Sequence, residues 1–382
     1  MRPVKLKDLI IPLEFLLYLI SFFIPRDRDI WVIGNRFGKS YGDNPKFLFE
    51  YIRKYHPQKK VFFITKNREI LKNNNDLNFL FYLNPKAVYY SLRAKIAIVS
   101  FSRTDLPSYL LGGAIWINLH HGNTIKKNSF TIGQKFFYIL SRYVFKYKST
   151  QYDYMTVSNI NHKLIDDFKL FFGVREFFLT GLPRNDLFYE KDTTQEIFYR
   201  SDHKVILYAP TFRTNYYNIE YDLFTNFGWD SELIEMFLKK NKLILVLKPH
   251  PHLLFPKKIK EFIAKKSLHI FYNNSSDVQP ILKETDYLIT DYSGIYIDFL
   301  HLKRPIIFAP FDFDYFSLKE GLAYDYDKIT TQYKISNWGD FLNINFNSLT
   351  FDNDHQTVFD FFDSFQDGNN SERVFNKINS IT

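Results

Sequence analysis

Cysteine is absent from all 382 residues. Disulfides, thiolate-bound zinc and a thiol nucleophile are therefore excluded, and the composition fits a reducing compartment. No zinc-finger spacing, RNP-type signature or basic repeat is present. The net charge of +9 thus argues for a phosphorylated substrate or an anionic membrane ahead of nucleic acid. No paired-carboxylate motif calls for a metal, so none is assigned, and Mg²⁺ stays open. Internal repeats and long linkers are also missing. The longest apolar run, Leu9 to Ile24, is interrupted by Pro12 and Glu14. Its 16 residues fall short of the ~20 that a bilayer span needs. No small-residue cleavage site follows, which argues against a secretory signal.

What is present is apolar and aromatic. Hydrophobic residues make up 46% and aromatic residues 19% of the chain, enough for large cores and too much for disorder. The length suits two ordinary domains. Short apolar strands alternate with helices: strands at 29–34, 61–65, 77–83, 96–101, 114–119, 154–157 and 177–180 in the first half, then 205–209, 243–247, 269–272, 288–290 and 305–309. Helices are predicted at 46–55, 85–93, 130–147, 161–172, 231–240, 257–266, 278–284 and 360–365, with Asn44 as cap of the first. This pattern predicts an α/β fold with parallel sheets. The expected divisions are an N-terminal helix in 1–28, domains at 29–188 and 189–345, and a tail, 346–382, packing back on the first domain.

Two stretches suit an anionic membrane surface. Basic residues flank the apolar N-terminal run, whose Leu and Ile residues recur at helical spacing, as in a helix lying in a bilayer interface. From Lys126 to Lys148 the chain carries Lys126, Lys127, Lys135, Arg142, Lys146 and Lys148, many aromatics and no acid. Both stretches also fit the plainer alternative of helices packed on the protein's own core.

Chemistry-bearing residues recur just past strand ends, where parallel sheets bind ligands. His121 and Gly122 follow the strand at 114–119, and an imidazole there suits proton abstraction from a hydroxyl. A structural histidine bonded to a loop carbonyl is the alternative. Arg213 follows 205–209, Lys248 and His250 follow 243–247, and Ser293 follows 288–290. Cations, an imidazole and a helix start converging at one sheet edge would suit a pyrophosphate.

Taken in order, these motifs resemble those of the CDP-glycerol glycerophosphotransferase family, the teichoic acid priming and polymerising enzymes. His120-His121-Gly122-Asn123-Thr124-Ile125-Lys126 is similar to the family's W-H-G-T-P-L-K. Gly181 to Asp186 matches G-x-P-R-x-D, Tyr208 to Arg213 matches Y-A-P-T-[WF]-R, Lys248 to Pro251 matches R-x-H-P, and Thr290 to Asp298 matches T-D-Y-S-S-x-x-x-D. The resemblance covers about residues 30 to 320. It implies a GT-B fold, two Rossmann-like domains facing a cleft, with the acceptor on the first and a CDP-polyol, most simply CDP-glycerol, on the second. It implies His121 as base, with His250 as the second catalytic residue. Pro210, Thr211, Arg213, Lys248, Thr290, Ser293, Gly294 and Asp298 would form the donor site, the last near the ribose. Gly122, Asn123, Arg184 and Asp186 would face the acceptor or cleft. The expected product is a phosphodiester on a lipid-linked saccharide or growing polymer, formed at the cytoplasmic face of the membrane by a peripheral enzyme. The chain's length leans toward a primase. Trp becomes His120, Thr-Pro becomes Asn123-Thr124, Arg becomes Lys248 and the second Ser becomes Gly294, which bears on the donor polyol. A GT-B glycosyltransferase using a nucleotide sugar, and a non-catalytic membrane adaptor, are the alternatives.

Overall fold

In the first of two units, seven short strands pair in parallel: β1 (Asp27–Ile33), β2 (Lys60–Thr65), β3 (Phe79–Phe81), β4 (Ala94–Val99), β5 (Ile115–Asn118), β6 (Tyr154–Val157) and β7 (Glu176–Leu179). Their order is β3-β2-β1-β4-β5-β6-β7. The second has β8 (Lys204–Tyr208), β9 (Leu243–Leu247), β10 (Ile270–Tyr272), β11 (Tyr287–Thr290) and β12 (Ile306–Phe308), in the order β10-β9-β8-β11-β12. Both are doubly wound sheets with a switch point beside their first strand. The computed structural model describes residues 6–74, 76–127, 151–160, 165–191, 202–213, 222–249, 255–273 and 277–382. His250, Lys135, Arg142, Lys146, Lys148 and the helix expected at 130–147 lie outside them.

The strands form where β-branched and aromatic residues run together. β9, Leu-Ile-Leu-Val-Leu, is buried along its whole length, as a central parallel strand covered on both faces should be. Helices cover both faces of each sheet, and each sheet has a core on either side.

Unit 1 comprises 1–121, 130–186 and 367–382; unit 2 comprises 122–129 and 187–366. The division departs from the expected tail. Residues 346–366 stay with unit 2, because Val358, Phe359 and Phe362 of the helix Asn353–Phe362 join its core beside Phe299 and Phe308. Only the end returns: Val374, Phe375 and Ile378 of the helix Asn370–Ser380 pack with Trp31, Leu48 and Ile52.

The N-terminal run forms α1 (Leu6–Ser21). Tyr18 and Ser21 are buried, while Leu13, Phe15, Leu16, Leu19, Ile20, Phe22 and Phe23 remain exposed, Phe23 at 87%. Arg26 ties the end of α1 to unit 1. Its guanidinium donates to the carbonyls of Ser91 (2.8 Å), Ser21 (3.0 Å), Ala94 and Leu110 (3.3 Å each) and Gly112. Desolvation, reinforced by Arg93, lowers its pKa to about 10, which leaves it charged at neutral pH. Arg26→Ala strands several carbonyls at once and should cost about 2–3 kcal/mol. Its expected signature is a lower Tm with faster proteolysis between Ser21 and Arg28; melting and digestion like wild type would contradict it.

Candidate active site

His121 closes the unit 1 stretch that follows β5. Its backbone is held on three sides. Asn118 Oδ1 accepts from His120 N at 2.8 Å. Asn44 Nδ2 donates to the carbonyls of Leu119 (3.1 Å) and His120 (2.9 Å). Arg184 Nη1 donates to the His121 carbonyl and to Asp43 Oδ1, both at 2.9 Å. Asn44 therefore does not cap α2 (Asp43–Tyr55); Gly42 stands at the cap, and the buried carbonyls take the Asn44 amide instead. His120 and Asp43 sit at φ +58° and +57°, with Gly122 at +122°. Left-handed non-glycine residues cost stability and persist where surrounding contacts impose them.

The His121 ring packs against Phe101 (5.3 Å between centroids) and His120 (5.0 Å). It keeps solvent-accessible surface, although protein crowds the rest of its surroundings. Desolvation lowers its pKa; Asp43 opposes the shift, Arg184 and Arg36 add to it, and a hydrogen bond to the Ser100 main chain opposes it again. The result is an imidazole both neutral at pH 7 and reachable by a substrate.

In unit 2 the loops after β8, β11 and β12 are locked together by Arg213. Its guanidinium makes a bidentate pair with Asp312 (Nε 3.1 Å, Nη2 2.8 Å) and donates to Asp291 Oδ2 and the Thr211 carbonyl at 2.5 Å each. Its side chain is 1% exposed and lies over the rings of Tyr292 and Phe316. Desolvation opposes its charge, but Asp291 and Asp312 outweigh it and raise its pKa. Asp291 Oδ1 in turn accepts from Thr211 N (2.7 Å) and Tyr292 N (2.6 Å).

The segment that leaves His121 completes this cradle. Lys126 Nζ donates to the Phe212 carbonyl at 2.9 Å and lies over Phe316. Ile125 is in the unit 2 core. Asn123 runs so close to Gly294 that a Cβ there would stand 1.8 Å from the Asn123 oxygen. Ser293 and Gly294 are partly exposed, before the short helix Ile295–Phe299. Thr211 Oγ1 and Asn123 Nδ2 are buried with no hydrogen-bond partner among the described residues, which leaves two polar atoms for a ligand.

Several expected ligands have other tasks. Arg213 is enclosed by carboxylates and cannot fork onto a pyrophosphate; it positions the loops that could. Thr290 is buried and donates to the Ala209 carbonyl at 2.7 Å. Asp298, 1% exposed, accepts from Gln279 Nε2 at 3.1 Å, so it does not face a ribose. Pro210 is buried and Lys248 half-buried. Arg184 braces His121 rather than facing an acceptor. The Asp186 carboxylate accepts from the amides of Asn370 (2.8 Å) and Ser371 (2.7 Å) at the start of the last helix; desolvation raises its pKa to about 6 despite those bonds. Lys126 points into unit 2 and not to a membrane; Lys127 is exposed. Sequence reasoning missed Asp312, Asp43 and the bracing role of Asn44. An acid following β12, as Asp291 follows β11, was the available signal for the first.

The two doubly wound units define the GT-B architecture. The wall teichoic acid polymerase TagF shares it at a TM-score of 0.75, with 21% identity over 98% of this chain and 95% of that chain. A UDP-N-acetylglucosamine 2-epimerase from Listeria monocytogenes shares it more loosely, at a TM-score of 0.51 and 13% identity over 92% and 96%. The chain belongs to the CDP-glycerol:poly(glycerophosphate) glycerophosphotransferase family, whose model matches residues 16–380. It is a glycerophosphotransferase, as the motifs led one to expect. Its relatives include the teichoic acid poly(glycerol phosphate) polymerase of Bacillus spizizenii, 26% identical over 85% of this chain and 84% of that protein. The teichoic acid glycerol-phosphate transferase of Staphylococcus aureus is 29% identical over 76% of each.

Two substitutions test the cradle. Gly294→Ser restores the family's residue but drives Cβ into the Asn123 backbone, so it should lower Tm; melting like wild type would contradict the packing. Arg213→Lys keeps charge but cannot bridge both aspartates. It should cost about 3–5 kcal/mol, as breaking a buried ion pair does, measured by denaturant unfolding.

Proposed function

We propose that the protein transfers glycerol phosphate from CDP-glycerol to a hydroxyl of a lipid-linked saccharide or growing polymer, in teichoic acid or capsule-type polymer synthesis. The observation that carries the reading is His121, a neutral and accessible imidazole fixed through its backbone, within a chain that matches the glycerophosphotransferase family from residue 16 to 380. The relatives matched over most of their length are named for glycerol phosphate.

His121 takes the proton of the acceptor hydroxyl. The acceptor oxygen forms a bond to the β-phosphorus of CDP-glycerol, the bond from that phosphorus to the bridging oxygen breaks, and CMP leaves with the electron pair. Ser293, Gly294, Lys248 and His250 meet the donor phosphates, with the Arg213 lock keeping their loops in register; charge growing on the phosphoryl oxygens is what such preorganised groups stabilise. The exposed apolar side chains of α1 support a peripheral position at the cytoplasmic face of the membrane. Among the described residues no helix is long and apolar enough to cross one.

The test is CMP release by purified protein from CDP-glycerol, CDP-ribitol and a panel of nucleotide sugars, with and without a membrane-lipid extract. CDP-glycerol should be used, extract should stimulate, and His121→Ala should lose about 10²–10⁴-fold in kcat, the usual share of a general base. Turnover of a nucleotide sugar instead, or full activity in His121→Ala, would overturn the reading. The working form is the neutral ring, so kcat/KM should fall as pH drops through a value below the ordinary 6.5. Asp43→Asn removes a carboxylate that raises this pKa and should move the acid limb lower still.

A further inference from the structure

Unit 1 has a switch point of its own, at the neighbouring C-terminal ends of β1 and β4, the place where such sheets bind ligands. The loop after β1 is pinned there as a rigid turn. Gly34 lies against the Asp105 carbonyl, where a Cβ would meet the oxygen at 2.5 Å. The Gly38 carbonyl accepts from Lys66 N (2.7 Å) and Thr65 Oγ1 (3.0 Å). The buried Asp105 carboxylate is taken up by main-chain amides: Phe37 N at 2.8 Å, Phe101 N at 2.9 Å, and Ser100 and Ser102 N at 3.3 Å. Arg36 and Phe37 are held at φ +41° and +59°. The Phe37 ring meets Phe101 at 5.1 Å, and Phe101 meets His121 at 5.3 Å.

This turn presents cations. Arg36, Lys39 and Lys66 are exposed, and the Lys66 stem crosses Gly38, 3.1 Å from where a Cβ would stand. Arg36 and Lys39 form no ion pair among the described residues. The acids that face Lys66 are Asp105, already committed, and Glu14 of α1; Lys39 repels it. Lys39 and Lys66 repel each other across this turn, a repulsion that an arriving anion would relieve.

We propose that Arg36, Lys39 and Lys66 form a phosphate-binding site at the unit 1 switch point, which holds a phosphate group of the acceptor while His121 receives its hydroxyl proton. The assignment to the acceptor rests on the function proposed above. That phosphate has two possible sources, the pyrophosphate of a lipid carrier and a phosphodiester of the growing chain, with the same recognition chemistry.

Two measurements on the full chain test it, with thermal melts to confirm that the variants fold. In the first, inorganic pyrophosphate and glycerol 3-phosphate are titrated with saturating CMP occupying the donor site. The Arg36→Ala/Lys39→Ala double variant and Lys66→Ala should each weaken binding about tenfold, as loss of charge-assisted bonds would, and Arg36→Lys should keep most of it. Equal binding by wild type and folded variants overturns the site. In the second, CMP release is followed with a lipid-pyrophosphate saccharide and with a glycerol-phosphate oligomer on a neutral lipid. The acceptor whose KM rises about tenfold, at unchanged KM for CDP-glycerol, identifies the source. A KM unchanged for both overturns the acceptor role. If wild type turns over no CDP-polyol, the functional reading fails, and the titration alone decides whether the anion site exists.

Discussion

Unit 2 depends on a buried guanidinium between two carboxylates. Asp291, Asp312 and the carbonyl of Thr211 come from three different loops, and Arg213 binds all three with almost no exposed surface. A buried pair of this kind contributes little net stability against a well-packed apolar substitute. Its effect lies in geometry, because a planar fork with fixed donors admits few arrangements of its partners. The Asp291 carboxylate then orients the amides of Thr211 and Tyr292, so a lock on side chains becomes a lock on the backbone of these loops.

Unit 1 solves a similar problem with an asparagine amide and one guanidinium. The bonds of Asn44 and Arg184 at His121 go to main-chain carbonyls. They hold the carbonyls of residues 119 to 121, and the ring follows. The ring keeps accessible surface and a hydrogen bond to the Ser100 main chain while the backbone beside it is held. The same residues set its electrostatics: Asp43 raises and Arg184 lowers its pKa, and the two are themselves paired at 2.9 Å, so their effects on the ring partly cancel and desolvation decides the direction.

The sheets were readable from sequence because buried parallel strands are runs of apolar residues. Leu243–Leu247, Tyr154–Val157 and the helices Pro85–Arg93, Ser231–Lys240 and Lys257–Lys266 fall where periodicity places them. The last helix did not, since Asn370–Ser380 offers only Val374, Phe375 and Ile378 as an apolar face. The misplaced site residues share one cause. An arginine or aspartate after a strand is the same letter whether it faces a phosphate or a partner. Arg213 finds Asp312 99 residues away, and Asp298 falls in a helix whose residues from Tyr296 to Phe299 are all buried. Local spacing shows which loops gather at a sheet edge but not which side chains remain uncommitted there.

The departures from the family's motifs gain meaning from their positions. Gly294 replaces the second serine, and Asn123 stands where the family has threonine. In space they are one feature, because the Asn123 carbonyl occupies the volume that a side chain at 294 would need. Neither change can be read alone: a serine at 294 requires the backbone at 123 to retreat, and the retreat would pull on Gly122 and His121. The segment 122–127 is thus both a wall of the unit 2 cradle and the direct continuation of the chain from His121. A side chain at 294 would press on a backbone only two peptide bonds from His121. Positions 123 and 294 therefore cannot vary independently in this chain.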